Sequence, residues 1–577
     1  MDNAAEDMLR ECGDFGPYQF VMLAAFSVIN AFASVHYFSQ TIILFVPEHW
    51  CYHNDLVNKT IDEVRHIYSN YTDPHCTPYR TDGLNYNFFG VNNTNGETCD
   101  KWIYEFDHGY RSMSSELNWV CGSAWKSTIG QSMFFVGSVV GTTIFGTMAD
   151  LIGRLPVLIF ANVMALIGNG ITVFSTNVPI FSISRFISGL AVDSNFLMMY
   201  ILVLEYLRPS MRTFGLNLCI GIFYCLGSVV TPWIAVYLAS WKFYIIYTSL
   251  PIAIVPFFYF ILPESAQWLI SKNDIEGAIV CFRRVARFNG RTIDNDTIEA
   301  FRTHYQNQAA KNPQTARGPR FFDLFKTPRL RRNTLILFFK SMVITLCYDA
   351  MSRNVEGLGV SPFVMFSLSA SAIFPACLVL LALQDRIGRK AMASSSLLLS
   401  GIFTSASGII IVYSGVTSPD LLVALSVVGR FGVTVAYNSA AQYATELVPT
   451  CVRGRGIAIV HVTGYAFTFF SAYILYLSHF FLPLPSLVLG VMSLMGAALC
   501  LLLPETLNRT LPTTLEDGER FGEGEKFYHF ACFDRDGLTE STTVLHSVKN
   551  EDIQTINGQM NGQAYEHEAH QNGYQHG

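Results

Sequence analysis

Four charged or titratable side chains stand inside long apolar runs of this chain. Asp193 lies within Leu190-Ala-Val-Asp-Ser-Asn-Phe196, and Asp349 follows Leu346-Cys-Tyr348. Arg353 is one helical turn beyond Asp349, and His461 shares a helix face with Tyr465, also one turn away. A charge at membrane depth costs about 2.5–3.5 kcal/mol on insertion scales, so each such group is a functional candidate by default. The chemistry they suit is reversible capture of a small charged solute. For each there is a plainer structural role. Asp193 can be satisfied by hydrogen bonds between helices, and Asp349 and Arg353 can form an internal i,i+4 ion pair or hold opposite ends of a zwitterion. His461 is a pH-sensitive ligand or a hydrogen-bonded packing residue. Glu356 is expected to be solvated. Lys340 is expected to snorkel toward the cytoplasm, and Arg430 is a further basic residue within an apolar run.

Aromatic side chains offer a cage for a cation. Tyr37, Phe196, Tyr200, Tyr224, Tyr348, Tyr437 and Tyr465 are the candidates, the tyrosines first because a buried hydroxyl requires a partner. Gln40, Asn30 and Asn438 are polar candidates on the same ground. No Gly-rich phosphate loop and no recurring metal-ligand spacing is present, so neither a cofactor nor a metal is expected, and an enzyme is the least favoured class.

The elements that must position these residues are membrane spans. Half of the 577 residues (51%) are hydrophobic and 14% are charged, against about 25% charged in soluble domains. The formal charge of −6 offers no basic surface for nucleic acid. Runs of about 20 apolar residues match the bilayer core. They place spans near 18–45, 124–149, 155–175, 179–204, 214–237 and 242–262, then near 334–353, 361–384, 392–413, 420–444, 455–478 and 482–503.

The motifs that end these spans occur twice. Asp150-Leu-Ile-Gly-Arg154 returns as Asp385-Arg-Ile-Gly-Arg389; Glu205 and Arg212 return as Glu446 and Arg453; Pro263-Glu-Ser265 returns as Pro504-Glu-Thr506. A duplicated six-helix bundle is an architecture of alternating access, with two halves moving about a site near the midplane. Basic residues gather in alternate loops and in the segment 263–333, which the positive-inside rule assigns to the cytoplasm with both termini. The segment of about 50–123 then faces outside. It carries three acceptor sequons, at Asn58, Asn70 and Asn92, and four of the 13 cysteines, Cys51, Cys76, Cys99 and Cys121. That even set suits a disulfide framework of open connectivity. Residues 1–17 read as a cytoplasmic N-terminus, 18–262 and 334–503 as the bundles, 263–333 as a linker, and 504–577 as a disordered tail, its last 25 residues rich in Gln, Asn, Gly and His.

The duplicated Asp-x-x-Gly-Arg loops resemble the major facilitator superfamily. Five passages resemble, more narrowly, the organic cation/anion/carnitine transporter family: Phe15-Gly-Pro-Tyr-Gln19, Pro47-Glu-His-Trp-Cys51, Asn118-Trp-Val-Cys121 leading to Trp125, Leu262-Pro-Glu-Ser-Ala-Gln-Trp-Leu269, and Thr445-Glu-Leu-Val-Pro-Thr450 with Arg453. The resemblance implies an all-α membrane protein of major facilitator fold, with 12 transmembrane helices in two pseudo-symmetric bundles. It also implies a mechanical role for Asp150, Arg154, Glu205, Arg212, Asp385, Arg389, Glu446 and Arg453, as a cytoplasmic gate that locks the outward-open state; topology anchoring is the simpler role. Two departures touch that gate: Ala266-Gln267 stands where the family has Pro-Arg, and Leu155 where it has a basic residue. At Tyr465 the family's cation carriers have Asp and its anion carriers Arg, and Asn438 replaces an acidic residue of some cation carriers. At Asp193 several cation carriers have Lys. The expectation is a plasma-membrane carrier of small organic cations or zwitterions, biogenic-amine-like or carnitine- and β-amino-acid-like. An organic anion exchanger and a non-transporting solute sensor are the alternatives. The partners expected are that solute and the lipid bilayer, with oligomeric state open.

Overall fold

The computed structural model describes residues 3–13, 16–69, 75–76, 99–207, 218–311, 321–416, 418–507, 509, 511–525 and 530. Among these, twelve helices are long and apolar enough to cross a membrane. They are α1 (Pro17–Ile43), α2 (Cys121–Ile152), α3 (Arg154–Val173), α4 (Val178–Tyr206), α5 (Ile220–Leu238) and α6 (Trp241–Ile261), then α7 (Pro328–Arg353), α8 (Pro362–Ile387), α9 (Arg389–Ser414), α10 (Pro419–Leu447), α11 (Gly456–His479) and α12 (Leu484–Leu501). The expected start of α5 near 214 lies outside the described residues, and the other boundaries follow the apolar runs closely except at α7. That helix starts on Pro328, whose missing N–H costs nothing in a first turn, and runs through Arg329, Arg331 and Arg332 before hydropathy rises.

Two helices break where the bundle needs it. α4 is interrupted at Leu190-Ala191, so that Asp193 sits in the first turn of its second segment, Val192–Tyr206. α5 opens with a π-helical turn over Ile220–Tyr224, a distortion that often marks functional positions. Close packing of α2 on α4 depends on small residues. A Cβ on Gly141 would lie 2.0 Å from the Leu190 carbonyl oxygen, so only glycine lets the backbones approach this closely.

Each half packs within itself, and the halves meet where α5 lies on α8 and α2 on α11. One end of the bundle carries the loop between α1 and α2, with a two-stranded antiparallel sheet, β1 (Glu48–Cys51) and β2 (Trp102–Glu105). The other end carries the linker. Its helices Ile275–Phe288 and Asn295–Lys311, together with the N-terminal helix Asn3–Cys12, form a cap on the first half, where Met8 and Cys12 join Phe282, Val285 and Ile298 in one buried cluster. The expected disordered tail from 504 needs correction. Residues 511–525 fold back on the linker end, with the Thr450 N–H donating to the Pro512 carbonyl and Glu519 accepting from the N–H groups of Arg329 and Leu330. This segment is too polar to be buried by hydropathy, and its capping carboxylates hold it instead.

Candidate functional site

A polar cluster occupies the seam between the halves. The half-buried Asp193 carboxylate accepts from the Ser138 hydroxyl, and Thr142 lies 3.5 Å away. Both come from α2, one turn apart, and the α2–α4 approach at Gly141 brings them there. Across the seam the Tyr465 hydroxyl of α11 also approaches Asp193, and it is 2.9 Å from the Tyr437 hydroxyl. Tyr437 stacks on Tyr348 with ring centroids 4.4 Å apart. Every partner of Asp193 in this set is a hydroxyl, and no cation among the described residues forms an ion pair with it. Its negative charge is therefore left for something else to neutralise.

Toward the loop end, Asp349 and Arg353 form the i,i+4 ion pair at 3.0 Å, both side chains almost fully buried. The pair is not an isolated contact within α7. Tyr37 of α1 donates its hydroxyl to Asp349, and the Gln40 carboxamide oxygen, oriented to satisfy both groups, accepts from both Nη atoms of Arg353 at 2.5 and 2.6 Å. The guanidinium carbon lies 4.6 Å from the Phe135 ring centre and 5.3 Å from that of Tyr37. The pair thus joins the two halves, and Arg353 is buried with both Nη atoms engaged and Nε unpartnered. Tyr224 extends this wall, 6.3 Å from Phe38, which in turn meets Phe366 of α8.

Other candidates fall elsewhere. Phe196 and Tyr200 stack on each other and meet the Phe26 ring at a tilt inside the first half. Asn438 faces Cys377 at 3.9 Å, and Asn30 donates to the Phe26 carbonyl. His461 is exposed, and none of the cluster's hydrogen bonds among the described residues reaches it. Glu356 accepts from the Val46 N–H at 3.5 Å, across the halves. Lys340 does not snorkel: it is buried, with its ammonium 4.5 Å from the Tyr443 ring centre. Arg430 lies 4.0 Å over Tyr348 and donates to its carbonyl at 2.5 Å. Sequence reasoning passed over Arg185, which is fully buried in α4. A signal was present: Ser184-Arg-Phe186 recurs as Gly429-Arg-Phe431.

At the linker end the duplicated motifs fold alike. Gly153 and Gly388 take φ of 104° and 101°, and a Cβ there would strike the carboxylates of Glu264 and Glu505 at 2.4 and 2.3 Å. Those carboxylates accept from the N–H groups of Arg154 and Arg389, each at 2.9 Å. Arg154 pairs with Asp150 at 3.3 Å, and Arg389 with Asp385 at 3.0 Å and Glu446 at 3.1 Å. Glu205 accepts from Ser265 at 2.6 Å, and Arg453 donates to the Val448 carbonyl. All of these contacts stay within one half, whereas among the described residues the hydrogen bonds that cross between halves lie at mid-depth or toward the loop end, as at Ser361–Asp107 and Ser367–Val229. Arg212 lies outside the described residues.

In the loop, Cys51 bonds Cys99 and Cys76 bonds Cys121, with Cα separations of 5.7 and 5.6 Å. Asn58 is exposed; Asn70 and Asn92 lie outside the described residues.

A family model described as "Sugar (and other) transporter" matches residues 79–516, well over half of the chain. The chain belongs to this family. It is 29% identical to the Organic cation transporter protein of Drosophila melanogaster, over 90% of this chain and 95% of that one. It is 28% identical to the human Organic cation/carnitine transporter 2 (87% and 92% covered) and 28% to the Drosophila melanogaster Beta-alanine transporter (89% and 89%). Among solved structures it is similar in fold to the proton:xylose symporter XylE, with TM-score 0.53 and 14% identity, over 87% of this chain and 99% of that one. This major facilitator protein is therefore a multi-pass membrane transporter and not an enzyme.

Proposed function

We propose that this transporter carries small organic cations, and zwitterions that present an ammonium group, across the plasma membrane by alternating access. One observation carries the reading: Asp193, half-buried at the seam and at a break in α4, is surrounded by hydroxyls and has no cationic partner. An ammonium arriving from either side restores charge balance there. Tyr465, Tyr437 and Tyr348 offer ring faces beside it. Arg353 and Arg430 are covered by protein groups, which disfavours an anion as principal cargo. The printed names of the relatives, for organic cations, carnitine and beta-alanine, support the same class.

The structure has the seam bridged toward the loop end, with the linker-end motifs paired inside their own halves. In the proposed cycle the Tyr37–Asp349 and Gln40–Arg353 contacts break as the loop end opens. The pairs around Arg154, Arg389 and Glu446 then serve the opposite gate. The excess of basic residues at the linker end assigns it to the cytoplasm with both termini, and the loop to the outside, where Asn58, Asn70 and Asn92 are glycan acceptors. A cation needs no coupling ion, because the membrane potential supplies about 2.3 kcal/mol per charge per 100 mV.

The test is uptake of labelled amines, zwitterions and anions by expressing cells at two membrane potentials. Amine uptake that rises with hyperpolarisation is the expected result. Uptake of anions alone would replace the reading with anion exchange. With surface expression verified, uptake of nothing would favour the sensor.

A further inference from the structure

The first half contains a buried guanidinium whose charge the protein does not balance. Arg185, one short segment above the α4 break, is 0% exposed. Its Nη2 donates to Ser188 Oγ at 3.1 Å, while Nε and Nη1 have no partner. Ser188 is already engaged, donating to Asn169 at 2.7 Å and contacting His36 at 2.8 Å. The guanidinium carbon sits 5.0 Å from the Phe134 ring centre. Among the described residues no carboxylate pairs with Arg185. The other charged group in electrostatic range is Arg353, of the same sign and already matched to Asp349. A guanidinium remains protonated in proteins, and an enclosed one cannot reach the interface by snorkelling. A second buried donor stands close by. The Tyr244 hydroxyl of α6 is 0% exposed, interacts electrostatically with Arg185, and forms no hydrogen bond of acceptable geometry, although Thr231 is near.

The repeat supplies an internal comparison. Arg430 holds the corresponding place in the second half, where its Nη1 donates to the Tyr348 carbonyl and its guanidinium lies over the Tyr348 ring, leaving Nε unpartnered. Among the described residues no carbonyl accepts from Arg185.

We propose that the first half binds a small inorganic anion, chloride being the simplest, between Arg185 and Tyr244. Two unpartnered guanidinium N–H groups, an unpartnered hydroxyl in electrostatic range and the Phe134 ring as an apolar wall make a donor set suited to a monatomic ion. An oxyanion would demand more donors than are present. Its test does not depend on which solute is carried.

The experiment is thermal unfolding of the purified full chain in sodium chloride, sodium bromide and sodium gluconate at constant ionic strength. A ligand that binds only the folded state raises the midpoint saturably. Chloride and bromide should do so and gluconate should not. Arg185→Gln should abolish the chloride dependence. Tyr244→Phe removes one donor and should raise the half-saturating chloride concentration about tenfold, which corresponds to about 1.4 kcal/mol. If Arg185→Gln does not fold, Tyr244→Phe decides the matter. Identical midpoints in chloride and gluconate, chloride dependence that persists in Arg185→Gln, or an unchanged half-saturation in Tyr244→Phe would each overturn the proposal.

Discussion

Replacing Arg353 with Gln removes more than one partner of Asp349. The ion pair at 3.0 Å goes, with both hydrogen bonds to Gln40 and the ring contacts to Phe135 and Tyr37. What remains is a buried carboxylate with one oxygen already lacking a partner and only the Tyr37 hydroxyl to offset its charge. Breaking a buried pair from one side costs about 3–5 kcal/mol, because the surviving charge is stranded. Asp349→Asn strands Arg353 in the same way, though Gln40 and the rings soften the loss. The double variant, Asp349→Asn with Arg353→Gln, leaves two neutral groups able to hydrogen-bond with Tyr37 and Gln40. Its cost should fall to about 1–2 kcal/mol, the worth of one or two neutral hydrogen bonds. Thermal unfolding of the four purified proteins, compared side by side, reads the cycle. Each single variant should unfold at a lower temperature than the double variant. A double variant depressed by the sum of the two singles would refute the reasoning, because independent residues add and coupled ones do not.

Three further outcomes follow from the same structure. Gly388→Ala should destabilise the second half by at least about 1 kcal/mol through its left-handed backbone alone, and more through the clash with Glu505; a thermal midpoint equal to the parent's would count against it. Peptide mapping without reduction should recover Cys51 with Cys99 and Cys76 with Cys121, and replacing either pair by serine should cost about 2–4 kcal/mol in thermal stability. Tyr465→Phe removes the hydroxyl shared by Tyr437 and Asp193 and should raise KM for an amine severalfold, read from initial uptake rates, with surface abundance unchanged.

Much of this arrangement was legible in the sequence because it depends on local order. The apolar runs define the spans, and the repeat of Asp-x-x-Gly-Arg with a later Pro-Glu correctly singles out the loops that Glu264 and Glu505 close. Asp193 was visible as a charge in an apolar run, and its spacing from Arg353 made Asp349 an ion-pair candidate. What the sequence could not show is which groups meet across the seam. Gln40 and Phe135 reach Arg353 from two other helices, so no spacing along the chain relates them. Tyr200 and Tyr465 looked equivalent as aromatic candidates, yet one packs inside the first half and the other faces Asp193. The seam cluster thus emerges only when both halves are in place. The folded segment 511–525 escaped notice for a different reason: capping and surface carboxylates hold it, and hydropathy does not register them.

The central claim is that Asp193 supplies the negative charge that recognises the solute. The direct measurement is kcat/KM for a transported organic amine in the parent, Asp193→Asn and Asp193→Glu, at equal surface abundance. Loss of a charged hydrogen-bond partner is worth about 1.5–3 kcal/mol, so Asp193→Asn should lose roughly ten- to a hundredfold, with Asp193→Glu retaining part of the activity. Equal kcat/KM in Asp193→Asn and the parent would contradict the account.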